Sequence, residues 1–110
     1  MRTVNIREVA QVVRSKNAGP FRLTLDILFK DRSVYDEVKR SGTITAETIA
    51  ALYNLPGDRV TDFVWFDPGK ALKATLVRPV SSGAPRDSDI YGAQQHAPLL
   101  ALTVTLDHTP

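Results

Sequence analysis

The chain contains no cysteine. Disulfides, zinc–thiolate sites, iron–sulfur clusters and cysteine nucleophiles are therefore excluded. Histidine is nearly as scarce, with only His96 and His108, too few for a histidine-rich metal site. No apolar run approaches the roughly 20 residues that a membrane-spanning helix requires. The opening stretch, Met1-Arg-Thr-Val-Asn5, has no apolar signal-peptide core. No membrane contact is expected, and a cytoplasmic location is. Charge of one sign is not in excess either: 14 Lys+Arg stand against 12 Asp+Glu, a net charge of +2. A nucleic-acid interface would need basic residues clustered on one face, and none is expected. Phosphate-binding loop, dinucleotide-binding glycine fingerprint, nucleophile elbow and zinc-protease motif are all missing.

What remains is a chain of ordinary globular make-up. Its 110 residues are 43% hydrophobic and 24% charged, which suits one folded domain over 1–110. The charge is uneven: residues 1–22 hold Arg2, Arg7, Arg14, Lys16 and Arg22 against Glu8 alone. A local positive field of this kind suits a small carboxylate or phosphate, or an acidic partner surface, and serves equally as a solvated face.

The periodicity predicts an α+β fold. Asn5-Ile-Arg-Glu8 has the form of a capping box, and Ile6, Val9, Ala10 and Val13 follow at helical spacing, so a helix is expected over about 6–14. Phe21, Leu23, Leu25, Ile27 and Phe29 then alternate with Arg22, Thr24, Asp26, Leu28 and Lys30, the period of a strand. Asp31 or Ser33 caps a helix carrying Val34, Tyr35 and Val38 and ended by Gly42. Thr45 caps another carrying Ile49, Ala50 and Tyr53. Strands are expected at 60–66, 71–77 and 99–106, with turn chemistry at Asp67-Pro-Gly69. The order α-β-α-α-β-β-β gives a compact α+β domain, with about four mostly antiparallel strands in one sheet and three helices on one face.

Two segments carry more polar chemistry than connections need. The first, Arg14-Ser-Lys-Asn-Ala-Gly-Pro20, is read as a loop between helix and strand. Arg14 offers a planar fork for a carboxylate, Lys16 a point charge, and Ser15 and Asn17 hydrogen bonds. Gly19 permits close backbone approach. A helix C-cap would use the same residues. The second, residues 82–98, has no apolar period and contains Asp87, Asp89, Tyr91, Gln94, Gln95 and His96. Irregular stretches of that length in small domains are usually functional or mobile. His96 suits proton transfer near neutrality, with Asp89 and Lys16 beside it as further catalytic candidates. Arg14, Ser15, Asn17, Gly19, Asp87, Tyr91, Gln94 and Gln95 are the ligand-binding candidates. Asp87, Asp89 and His96 could in principle ligate a divalent cation, but without a further acidic cluster no metal site is assigned, and the cofactor is left open. Asp26 is expected to pair with Lys73 or Arg78 across the sheet, and Phe63, Trp65 and Phe66 to lie in the core.

Arg14-Ser-Lys-Asn-Ala-Gly-Pro-Phe21 with Leu23-Thr-Leu-Asp26, then Lys73-Ala-Thr75 with Arg78-Pro79, then Asp87-Ser-Asp-Ile-Tyr-Gly-Ala-Gln-Gln-His-Ala-Pro-Leu99, resemble domain of unknown function family 4387 over about residues 5–106. Proteins of that family occur as short chains or fused behind a larger protein similar to the acyclic terpene utilisation protein AtuA. The resemblance thus implies a small subunit of a heteromeric catabolic enzyme with an AtuA-like large subunit. Its loops would contribute to a site for an organic acid or its coenzyme A thioester, with lyase or hydratase chemistry. A non-catalytic assembly module and an independent small-ligand-binding domain are the rival expectations. An oligomer is expected in either of the first two cases, with the two polar segments meeting in space and Tyr91 anchoring the partner.

Overall fold

Asn5 joins the first two elements. Its Oδ1 accepts from the Arg7 backbone N–H at 2.9 Å, while Glu8 Oε2 accepts from the Asn5 N–H at 3.0 Å, so the expected capping box forms. The helix it opens is a single turn. In the computed structural model, which describes residues 2–18, 21–77 and 97–106, β1 (Arg2–Asn5) leads into α1 (Ile6–Val9) and then directly into β2 (Ala10–Asn17). The helix expected over 6–14 is thereby corrected. Val12, Val13, Ser15 and Asn17 are weak helix formers, and a lone short helix is marginal in water. A ladder of seven residue pairs with the next strand, bulged at Gln11, wins instead. The helical spacing of Ile6, Val9, Ala10 and Val13 is a coincidence of one helical turn followed by a strand. All four still face the core.

The remaining elements follow the sequence closely. β3 (Arg22–Phe29) is the alternating segment, though Phe21 lies before it and is half exposed rather than in the core. α2 (Arg32–Ser41) is capped by Asp31, whose carboxylate accepts from the Val34 N–H at 2.9 Å. It ends at Gly42, whose φ of 70° is the left-handed conformation glycine adopts without a Cβ penalty. α3 (Ala46–Leu52) starts at Thr45, which accepts from the Thr48 N–H at 3.1 Å. β4 (Val60–Phe66) and β5 (Ala71–Val77) are joined through a 3₁₀ turn at Asp67–Gly69. The strand expected over 99–106 is shorter: Ala97–Ala101 is a 3₁₀ turn and β6 covers Thr103–Leu106.

The four-stranded sheet has the order β2-β3-β5-β4 with every neighbour antiparallel. Its fourth member is β2, not the last strand. β6 instead pairs antiparallel with β1, Val4 opposite Val104, in a separate two-stranded sheet. One face of the large sheet is core. Leu23, Leu25, Ile27 and Phe29 of β3 and Leu72 and Leu76 of β5 are each at most 1% exposed, against Tyr35 and Val38 of α2 and Ile49 of α3. Leu99, Leu102, Val104 and Leu106 close the same core from the small sheet's side. The opposite face carries cross-strand rows such as Arg14–Asp26–Lys73–Val64 and Lys16–Thr24–Thr75–Asp62. None of those eight residues is buried.

Candidate functional site

Strand alternation divides the first polar segment. Because β2 is a strand and not a loop, successive side chains leave on opposite faces. Arg14 pairs with Asp26 and Lys16 with Thr24 on the open face. Ser15 pairs with Leu25 and Asn17 with Leu23 on the core face. Arg14 and Lys16 are therefore brought together, while Ser15 and Asn17 are turned away from them, half-buried at the sheet edge. Gly19, Asp87, Asp89, Tyr91, Gln94, Gln95 and His96 lie outside the described residues, as does Arg78.

Asp26 organises the open face. Its Oδ2 accepts from Arg14 Nε at 3.1 Å, and Lys73 Nζ stands 4.0 Å from its Oδ1. The expected ion pair is present, but its close partner is Arg14 on the neighbouring strand, with Lys73 second. The carboxylate is only 14% exposed, whereas Arg14 and Lys73 are more than half exposed. Oδ1 has no hydrogen-bond partner among the described residues. Beside this pair a pocket of about 290 Å³ is lined by Arg14, Ser15, Lys16 and Asp26. Asp26 holds Arg14 by Nε, so the terminal guanidinium nitrogens take no part in that contact. Lys16 makes no ion pair among the described residues. The arrangement can receive an anionic group between a guanidinium and an ammonium, with Asp26 fixing the guanidinium's orientation.

A second polar centre escaped the sequence reading. The Tyr35 hydroxyl, rooted in the core, donates to Asp67 Oδ1 at 2.5 Å, and Lys39 Nζ donates to the same oxygen at 2.9 Å. The Tyr35 hydrogen bond, then that of Lys39, holds the Asp67 carboxyl below the usual carboxylate range. Burial first, and the Asp67 hydrogen bond second, pushes the Tyr35 phenol well above its ordinary value. Arg32 sits 5.5 Å over the Tyr35 ring. These contacts tie α2 to the β4–β5 turn. In the sequence Asp67-Pro-Gly69 reads only as turn chemistry, and nothing there links position 67 to position 35. Trp65 lies beside this tie, 5.8 Å from the Tyr35 ring and 6.4 Å from that of Phe29. Phe63 and Trp65 pack against the core as expected, but Phe66 is 47% exposed on the open face, with Lys73 Nζ 5.8 Å from its ring.

Among the described residues no three His, Cys, Asp or Glu side chains gather as metal ligands, and no helix is long and apolar enough to cross a membrane. A family model described as Domain of unknown function (DUF4387) matches residues 6–103. The chain belongs to the DUF4387 family. The match leaves out β1 and all of β6 but its first residue and spans every other described element, so the edge strand with Arg14 and Lys16 is part of the family domain. No curated protein and no solved structure matches this DUF4387 chain.

Proposed function

We propose that this DUF4387 protein is the small subunit of a heteromeric catabolic enzyme, working with an AtuA-like large subunit on an organic acid or its coenzyme A thioester. The observation that carries this reading is the pocket at the sheet edge, with Arg14 and Lys16 on its walls. Its volume of about 290 Å³ is at the lower end of the roughly 300–1,000 Å³ typical of small-molecule sites. It has room for a small organic acid and not for a whole coenzyme A thioester. A site built on this pocket takes its remaining walls from elsewhere, which favours a shared site over an independent ligand-binding domain.

In this reading Arg14 and Lys16 hold the substrate's carboxylate or phosphate, and Asp26 positions Arg14. The chemistry is lyase or hydratase in type, with His96 and Asp89 as the proton-transfer candidates. The test is co-purification of the two chains and turnover of candidate acids with and without this one. Lys16→Ala is expected to raise KM for the acid at least about tenfold, roughly the worth of one charge-assisted contact, while changing stability by about 0.5 kcal/mol or less. Equal turnover with and without the small chain leaves the non-catalytic assembly module as the reading. Failure of the two chains to co-purify rejects both.

A further inference from the structure

Among the described residues the large sheet has two edges, β2 and β4, and they are built differently. β2 presents Arg14 and Lys16, charged side chains of the kind that protect an edge from pairing. β4, Val60-Thr-Asp-Phe-Val-Trp-Phe66, has one charged residue, Asp62, and no lysine or proline. Its apolar side chains are incompletely covered on both faces. Val64 and Phe66 are 50% and 47% exposed on the open face, and Phe63 and Trp65 are only partly buried on the core face. By contrast, the core-facing residues of β3 are about 1% exposed. A bulge between Val60 and Asp62 disturbs the start of the strand and leaves Asp62–Phe66 in regular register with β5.

We infer that a second copy of this chain pairs with β4, the two β4 strands running antiparallel about a two-fold axis at Val64. The two four-stranded sheets then form one continuous sheet of eight. In this register Val64 meets its own counterpart and Phe63 lies opposite the second copy's Trp65, an aromatic pair on the core side. Asp62 of one copy lies opposite Phe66 of the other. The Phe66 ring already has Lys73 against it, so each Asp62 comes up to a lysine of the other copy. The symmetry makes both contacts twice. The same operation on β2, centred on Ser15, would set Arg14 opposite Lys16 and is disfavoured by like charge. Charge complementarity therefore selects β4, and a second copy is the occupant that satisfies it. This inference does not rest on the anion-site reading, which concerns the other edge.

The absence of cysteine makes a positional test direct. The full chain is expected to sediment as a concentration-dependent dimer, with a dissociation constant of roughly 1–100 µM for so small an interface. Val64→Lys, at an exposed position, is expected to keep the native circular dichroism spectrum and weaken dimerisation at least about tenfold by setting two ammonium groups together. Val64→Cys is expected to form a covalent dimer under mild oxidation at least about ten times faster than Lys16→Cys on the opposite edge, because only the former brings two thiols within disulfide reach. A chain that stays monomeric up to about 1 mM overturns the inference. So does a dimer indifferent to Val64→Lys, or equal cross-linking rates at the two positions. Hydrogen-exchange protection of 60–66 that appears only when an AtuA-like chain is added would give the edge to that chain and overturn it as well.

Discussion

Asp67 holds the β4–β5 turn against α2 through a single carboxylate oxygen shared by Tyr35 and Lys39. Its effect on stability has a definite sign. The folded pKa lies below the unfolded one, so the contribution is present above about pH 4 and is lost as pH falls through the folded value. Tyr35 works at the other end of the scale. Its folded pKa is raised, so its contribution is present below about pH 10 and is lost as pH climbs toward the folded value. Melting temperature against pH should fall on both sides. Asp67→Asn should flatten the acid limb and Tyr35→Phe the alkaline one, each lowering the melting temperature at neutral pH. The Arg14–Asp26 pair is a contrasting case. Both cations around Asp26 are half exposed, and Asp26→Ala leaves them free to hydrate, so a loss of about 1 kcal/mol or less is expected. Leu25→Ala, one residue away on the core face, should cost about 2–5 kcal/mol in the same urea titration. The alternation of β3 showed in advance that Asp26 and Leu25 face opposite ways. Which cation lies beside Asp26 depends on the partner strand, and β2 was not legible as a strand.

Among the helices, α2 and α3 were the legible ones. Asp31 caps α2, Gly42 ends it and Thr45 caps α3, as the sequence indicates, whereas α3 stops at Leu52 and leaves Tyr53, expected on the helix, as its C-cap. α1 failed for a physical reason: a capping box starts a helix but does not sustain one. Asn5→Ala tests what the cap contributes. It removes the acceptor for the Arg7 N–H and the donor to the Leu100 carbonyl at 2.9 Å, a contact that joins α1 to the 3₁₀ turn before β6. A loss of about 1–2 kcal/mol in chemical denaturation is expected, toward the upper end for an N-cap because two partners are lost. The polar segment around Arg14–Asn17 has the composition of a loop with four cooperating groups. As a strand it splits them, and only Arg14 and Lys16 share the open face.

The two sheets of the molecule share one core. A two-stranded sheet such as β1–β6 is marginal by itself, and here Val104 and Leu106 are buried in the same cluster as Leu25 and Leu72 of the large sheet. The chain's one tryptophan, Trp65, belongs to the large sheet and reports on it. Leu106→Ala should therefore shift the Trp65 fluorescence transition by about 2–5 kcal/mol, although the substitution lies in the other sheet. An unshifted transition would mean that the small sheet unfolds separately. At this scale the division between sequence and structure is clear. Periodicity and capping by themselves determined the α+β class, the alternating β3 with its buried stripe, the starts of α2 and α3 and the stop of α2, and the β4 and β5 strands. Those signals are local, carried by residues within a few positions of one another. Tertiary structure decided that 10–17 extends rather than coils, that β6 leaves the large sheet to pair with β1, that Tyr35 reaches Asp67, and that Arg14 and Lys16 flank a pocket. Each of these depends on free energy gained between different segments of the chain, where cross-strand pairing and core burial outweigh the weak local preferences of the residues involved.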